Sequence, residues 1–456
     1  MASYHFGGLL SGLHWLRDVR LDVDAGRIRS LAVGEKREEG TLDCGYALPG
    51  MPNVHSHAFQ RAAAGLTEYR RAERDDFWSW RGVMYRFAAH MSPTSLRSVA
   101  TSAYLDMIRH GYTSVGEFHY LHNAHMDQSV AMADAVIAAA ETAGIALTFL
   151  PVFYEASDFG GQPPTPEQAP FVMEVEDFCR FLKILAPRLR GRNRLGVAFH
   201  SLRAVRPESF APVLATLNEL DPTAPVHIHI SEQQREVDAA VAHFGKRPVE
   251  WLMANQPVDE RWCLVHATHM NDAELTSVAK SGAVVGLCPS TEANLGDGIF
   301  PARAFMQAGG RIAVGSDSNV CLNPREELRL LEYAQRLLRR ERLVLAAPEG
   351  GHVGERLWAE AASGGAQALG QPAGEISVDK AADLVWLWPQ HHMLAAACYG
   401  QIPDSFVFVA DADPVNDVMI NGNIIMDDGF IEADYLHHDA FSAVVQGIAE
   451  EVEKHV

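Results

Sequence analysis

The chain has 456 residues, 48% hydrophobic and 21% charged, a balance that fits a globular protein and excludes intrinsic disorder and fibrous repeats. Its 58 acidic side chains outnumber 38 basic ones, giving a formal net charge of −20. A field of that sign opposes nucleic acid and anionic membrane as partners, and admits an anionic small molecule only where arginines reverse it inside a cleft.

No stretch reaches ~18 apolar residues, so no membrane span is expected. The opening MASYHFGGLLSGLHWLRD lacks a basic region followed by an apolar run, so it does not read as a secretory signal. Cys44, Cys179, Cys263, Cys288, Cys321 and Cys398 are scattered without a CxxC pair, and are expected as buried, reduced thiols of a cytoplasmic protein.

In chain order, residues 1–48 alternate apolar and polar positions, with Ala25-Gly26 as a hairpin turn. From residue 49 the texture changes to short apolar runs separated by longer amphipathic segments. Eight strand candidates follow: YALPGMPNVHSH, TSVGEFH, IALTFLPVF, RLGVAFH, PVHIHI, CLVHA, AVVGLC and RIAVGSDS. Helical patterns such as SLRSVATSAYLDMIRHG and QSVAMADAVIAAAETAG lie between them and stop at Gly111 and Gly144. Eight alternating units predict an α/β fold, a closed (β/α)8 TIM-like barrel. The Pro-rich stretch 156–170 reads as a long surface loop, with a lid as the alternative. Beyond about residue 368, GEISVDKAADLVWLWP, SFVFVA and VNDVMINGNIIMDDGFIEA read as strand-rich, and the final FSAVVQGIAEEVEKHV as helix. The expected organisation is a small β-sandwich domain from 1–48 and 368–435, a catalytic barrel over 49–367, and a helical tail over 436–456.

Where the 21 histidines fall decides the chemistry. His55 and His57 close the first barrel strand, and residues two apart in a strand face the same side. His229 lies near the end of the fifth strand, His266 ends the sixth, and Asp317 ends the eighth. Five such side chains at strand C-termini of one barrel fall where this fold keeps its active sites.

The succession PNVHSH, HIHISE, VHATH and GSDS resembles the amidohydrolase superfamily, in its mononuclear deaminase branch, over nearly the whole chain. The C-terminal GEISVDKAADLVWL and DVMINGNIIMDDG look like the return strands of that family's β-sandwich. HSHAFQRAAAGLTE, FWSWRGVMY and AFHSLRAV narrow the resemblance to members that release ammonia from the formimino group of an amino-acid-derived diacid. Binuclear members carry a bridging lysine on the fourth strand; RLGVAFH has none, which implies one metal per chain. The resemblance also implies a homodimer.

The residue types agree. His55, His57, His229 and Asp317 supply nitrogen and oxygen ligands suited to Zn²⁺, with Fe²⁺ or Mn²⁺ as alternatives. Asp317 can also orient a water there. Glu232, three residues past His229, can carry a proton from water to a leaving nitrogen; otherwise it is a helix-first-turn glutamate favoured by the dipole. His266 can polarise the electrophile or hold the attacking oxygen, with His269 in the same segment as its rival. Arg81, Arg203 and Arg206 are candidates for carboxylate capture. The resemblance adds Gln60 and Tyr120 as polar substrate contacts. His200 reads as pocket-lining or as structural; His119 and His122 are expected behind the site or at the surface. No phosphate loop, GxGxxG, GxSxG or zinc-finger spacing occurs. The alternatives are a deaminase of guanine-type nucleobases or other cyclic amidines and, in a different class, a non-catalytic scaffold of the same fold.

Overall fold

The computed structural model describes residues 1–34, 42–68, 77–122, 125–397, 401–409 and 413–453. Eight parallel strands close into a barrel: Met51–Ser56, Tyr112–His119, Ala146–Phe153, the pair Arg194–Leu195 and Val197–Phe199, Val226–Ile230, Trp262–His266, Val284–Leu287 and Arg311–Val314. Closure runs through the Val314–Asn53 pairing of the last strand with the first, and continues in a parallel bridge between Ser56 and Asp317. All eight expected strands are present, and nearly every residue in them is buried. Parallel strands covered on both faces take continuous apolar runs such as ALTFLPVF.

The crossover helices form the outer ring. Pro93–Arg109 is opened by a Ser92 capping box, and Met126–Ala143 is closed by Gly144 at φ +80, whose N–H reaches the Ala140 carbonyl. The stretch 156–170 is largely exposed, but the short 3₁₀ helix Pro166–Phe171 buries Gln168 and Phe171.

Both chain ends build a separate sheet in the order Asn423–Met426, Val415–Ile420, Leu384–Leu387, Tyr46–Pro49, Ala2–Ser11, His14–Asp24, Arg27–Val33, with Leu42–Asp43 also pairing with Ala2–Ser11. The Ala25-Gly26 turn is present, with φ of +49 and +76, the mirror-image geometry that matches strand twist. The YALP segment belongs to this sheet, and the chain crosses to the barrel at Gly50. The sheet packs Phe6, Leu9, Leu21, Leu384 and Trp386 into a core of its own.

Two expectations are corrected. The SFVFVA run is not a strand: Ile402–Phe408 is helical, with Pro403 in its first turn and Ile402, Phe406 and Val407 on one buried face. Of the cysteines, only Cys263 and Cys288 are fully buried; Cys44, Cys179 and Cys321 are partly exposed, all five are free, and Cys398 lies outside the described residues. The C-terminal helix Glu432–Glu453 starts ahead of the expected boundary at 436, and an Arg109–Asp434 ion pair of 2.6 Å ties it to Pro93–Arg109. Among the described residues no helix is long and apolar enough to cross a membrane.

Candidate active site

The C-terminal ends of the barrel strands bring the predicted ligands to one point. His229 Nε2 lies 3.0 Å from His55 Nε2, and Asp317 Oδ1 lies 3.3 Å from both His55 Nε2 and His57 Nε2. Ligand atoms ~2.0–2.1 Å from a tetrahedral zinc stand about 3.3 Å apart, close to these three distances; ligand atoms of His55, His57 and Asp317 lie within 4.8 Å of one another, as do those of His55, His229 and His266. The backbone fixes this spacing. The N–H groups of Ser316 and Asp317 donate to the His55 carbonyl at 3.0 and 2.9 Å, and His57 N–H donates to the Asp317 carbonyl at 3.0 Å. Gly315 permits this approach: a Cβ there would meet the His55 backbone nitrogen at 2.9 Å. His57 Nδ1 is 2.9 Å from the Phe118 carbonyl, which makes Nδ1 the protonated nitrogen and leaves Nε2 free to ligate.

The electrostatics agree. Burial depresses the imidazoles of His55, to about 3, and of His57 and His229, so all three are neutral. Burial alone would raise Asp317, but His55, His266 and His57 hold its carboxyl well below the usual range. Neutral imidazoles facing a carboxylate are the donor set a divalent cation needs.

Beside this cluster, His266 Nε2 lies 3.9 Å from Glu232 Oε1 and 3.7 Å from Asp317 Oδ2. Burial raises Glu232 to about 7. Burial pulls His266 down, but the carboxylates of Glu232, Glu292 and Asp317 outweigh it and raise the imidazole to about 10. Glu232 precedes the helix Gln234–Phe244, whose first-turn glutamate is Glu236; the Glu236 carboxylate accepts from the N–H groups of Ser231 and Glu232, while the Glu232 side chain lines the cavity.

Above the cluster lies a cavity walled by Phe77, Trp80, Met84 and Tyr85 from the helix Phe77–Ala89, and by Tyr154 and Phe171. Gln60, Arg81, Tyr120, His200 and Arg203 also face it. Gln60 Nε2 donates to Tyr120 Oη at 3.0 Å, which leaves buried Gln60 Oε1 without a partner. Arg203 is 8% exposed and its Nε has no hydrogen-bond partner; its charge acts on the carboxyls of Glu232 and Glu236, pulling both down against the rise that burial causes. Its guanidinium and that of Arg81 stand 5.6 and 4.5 Å from the Trp78 ring.

The structure does not bring Arg206 to this cavity. Its side chain is 44% exposed, pairs with Glu155 at 3.6 Å, and faces a separate groove beside Gly160, Gly161 and His243. His269 also turns away, its Nε2 donating to the Asp297 carbonyl at 2.9 Å, which leaves His266 as the histidine of that segment in the site. His119 and His122 are buried away from the cavity, with His122 Nε2 2.7 Å from the Val152 carbonyl.

Sequence reasoning passed over the aromatic wall, although the density of rings in FWSWRGVMY was a signal for it. It also passed over Glu292, whose Oε1 lies 3.3 Å from His266 Nδ1, and Arg235, 4.3 Å from the Trp78 ring. Neither carries a local sequence signal.

Residues 46–425 match the amidohydrolase family model. The chain belongs to the amidohydrolase family. It is 46% identical, over 91% of its length and 92% of the relative's, to a formimidoylglutamate deiminase from Pseudomonas aeruginosa. A 5-methylthioadenosine/S-adenosylhomocysteine deaminase from Natronomonas pharaonis is 26% identical over 90% of this chain and 88% of its own. An amidohydrolase from Brucella melitensis of known crystal structure superposes with a TM-score of 0.92 at 42% identity, covering 98% of this chain and 100% of that one.

Proposed function

We propose that this amidohydrolase removes ammonia from N-formimino-L-glutamate, giving N-formyl-L-glutamate. The observation that carries the reading is the 46% identity across 91% of the chain to a formimidoylglutamate deiminase. A buried guanidinium facing the cavity with its Nε free of any hydrogen bond, in a chain of net charge −20, supports an anionic substrate.

His55, His57, His229 and Asp317 would hold one divalent ion, with Zn²⁺ the best match to the donor set and Fe²⁺ or Mn²⁺ compatible with it. Such an ion lowers the pKa of water enough to make it a nucleophile near neutral pH. The chain's own residues do the rest. Asp317 orients the attacking oxygen, and His266 holds the electrophilic carbon's substituents between Glu232 and Asp317. Glu232 accepts a proton from water and returns it to the departing nitrogen, a task suited to a carboxyl raised to about 7. The C=N double bond is exchanged for C=O, the second proton of the water passes from the added hydroxyl to the departing nitrogen as the tetrahedral adduct collapses, and the products are ammonia and a formamide.

Arg203 and Arg81 bind the glutamate carboxylates, and Gln60 and Tyr120 complete the polar contacts. The aromatic walls would also accept a nucleobase, the runner-up substrate class, but a neutral base would leave Arg203 unpaired. The complete ligand set argues against a non-catalytic scaffold. We place the enzyme in histidine degradation in the cytoplasm, as a homodimer. Product analysis tests the reading. Incubation with N-formimino-L-glutamate should give N-formyl-L-glutamate and ammonia in equal amounts by proton NMR and ammonia assay, and a different product, or none, would reject it.

A further inference from the structure

Glu292 has no task in the reaction above. It sits in the short helix Pro289–Leu295 that follows the seventh barrel strand, and it is 5% exposed. Its Oε1 accepts the Cys288 N–H at 2.8 Å and lies 3.3 Å from His266 Nδ1. It is not among the residues that wall the cavity.

His266 is constrained from a second direction. It and Ala267 have φ of +66 and +50, in the left-handed region that a residue with a Cβ seldom enters. Such a conformation persists only where the surroundings over-determine it, and here the Ala267 N–H donates to the Ile230 carbonyl at 3.0 Å. The strained turn sets the root of the side chain, and Glu292, itself pinned by the main chain, sets the far edge of the ring.

We propose that Glu292 is the positioning residue of His266, holding Nδ1–H so that Nε2 is always the ring atom turned to the substrate, Glu232 and Asp317. The proposal rests on the hydrolytic reading of the site. A buried carboxylate behind a histidine ring fixes the orientation of that ring, and replacing such a partner typically costs about 10–100-fold. One rival exists, because ligand atoms of His266, Cys288 and Glu292 lie within 4.8 Å of one another, as a metal site would require. Two observations disfavour it: Glu292 Oε1 is already engaged by the Cys288 N–H, and burial pushes the Cys288 thiol well above its ordinary range.

The test compares metal-loaded wild type with Glu292→Ala and Glu292→Gln, by kinetics, metal analysis and ¹⁵N-histidine NMR, the His266 signals being assigned with His266→Gln. In wild type, His266 Nδ1 should read as protonated. In Glu292→Ala that Nδ1–H signal should lose the downfield shift of a charge-assisted hydrogen bond and kcat should fall about 10–100-fold, with KM within about twofold and one metal retained. Glu292→Gln keeps an acceptor oxygen and should recover part of both losses. An unaltered His266 spectrum in both variants, an unaltered kcat, or a rise in KM alone would overturn the proposal. Loss of a second equivalent of metal would replace it with the metal site. If Glu292→Ala fails to fold, Glu292→Gln decides, with partial loss expected and none contradicting. Wild type inactive on N-formimino-L-glutamate would reject the substrate reading, while the spectra would still judge the Glu292–His266 contact.

Discussion

Replacing Arg203 by Met retains most of the side chain's bulk and removes a guanidinium that is 8% exposed with no partner at Nε. A charge-assisted hydrogen bond to a substrate carboxylate contributes about 1.5–3 kcal/mol. At 1.36 kcal/mol per decade, kcat/KM for N-formimino-L-glutamate should fall about 10- to 100-fold. Activity on an uncharged formamidine, however weak, should hardly change, because that compound offers Arg203 nothing to bind. Thermal stability should change little, since Arg203 Nε makes no hydrogen bond to the protein. The assay is steady-state ammonia release on both compounds at matched metal content, with thermal melting alongside. An equal loss on the two compounds would mean that Arg203 supports the fold or the ligand cluster, and would refute the reasoning.

Arg206→Met is the companion experiment. Its guanidinium is 44% exposed and paired with Glu155, a contact worth about 0–1 kcal/mol, so kcat/KM should stay within about fivefold of wild type; a loss matching that of Arg203→Met would return Arg206 to the site. Glu232→Gln should keep its metal while kcat falls by roughly 10²–10⁴, the usual contribution of acid–base catalysis, and near-normal turnover would remove Glu232 from the mechanism. Elemental analysis should find one divalent ion per wild-type chain, and His57→Ala should lose it. Two tightly held ions, both needed for turnover, would contradict the single site built on His55, His57, His229 and Asp317.

The barrel and the cluster at its strand ends were legible because each rests on a local pattern. Apolar strand runs alternate with amphipathic helices, and His55, His57, His229, His266 and Asp317 all close strands whose C-terminal ends must converge once the barrel shuts. What escaped depends on contacts between distant segments or on backbone irregularity. Glu292 meets His266 from 26 residues away, across two strand ends. Arg203 and Arg206 lie three apart, but the chain between them follows irregular turns rather than a helix, so Arg203 reaches the cavity over the cluster while Arg206 lines only the neighbouring groove that both residues border. The SFVFVA run has the aromatic and β-branched composition of a strand, yet the buried face that Ile402, Phe406 and Val407 share requires helical spacing.

Ammonia release by the purified, metal-loaded protein, measured side by side on N-formimino-L-glutamate, its monoacid analogues and guanine, tests the central claim most directly. The account predicts efficient turnover of the diacid, a kcat/KM about 10- to 100-fold lower when one carboxylate is missing, and no turnover of guanine. Robust guanine deamination with no activity on N-formimino-L-glutamate would contradict it.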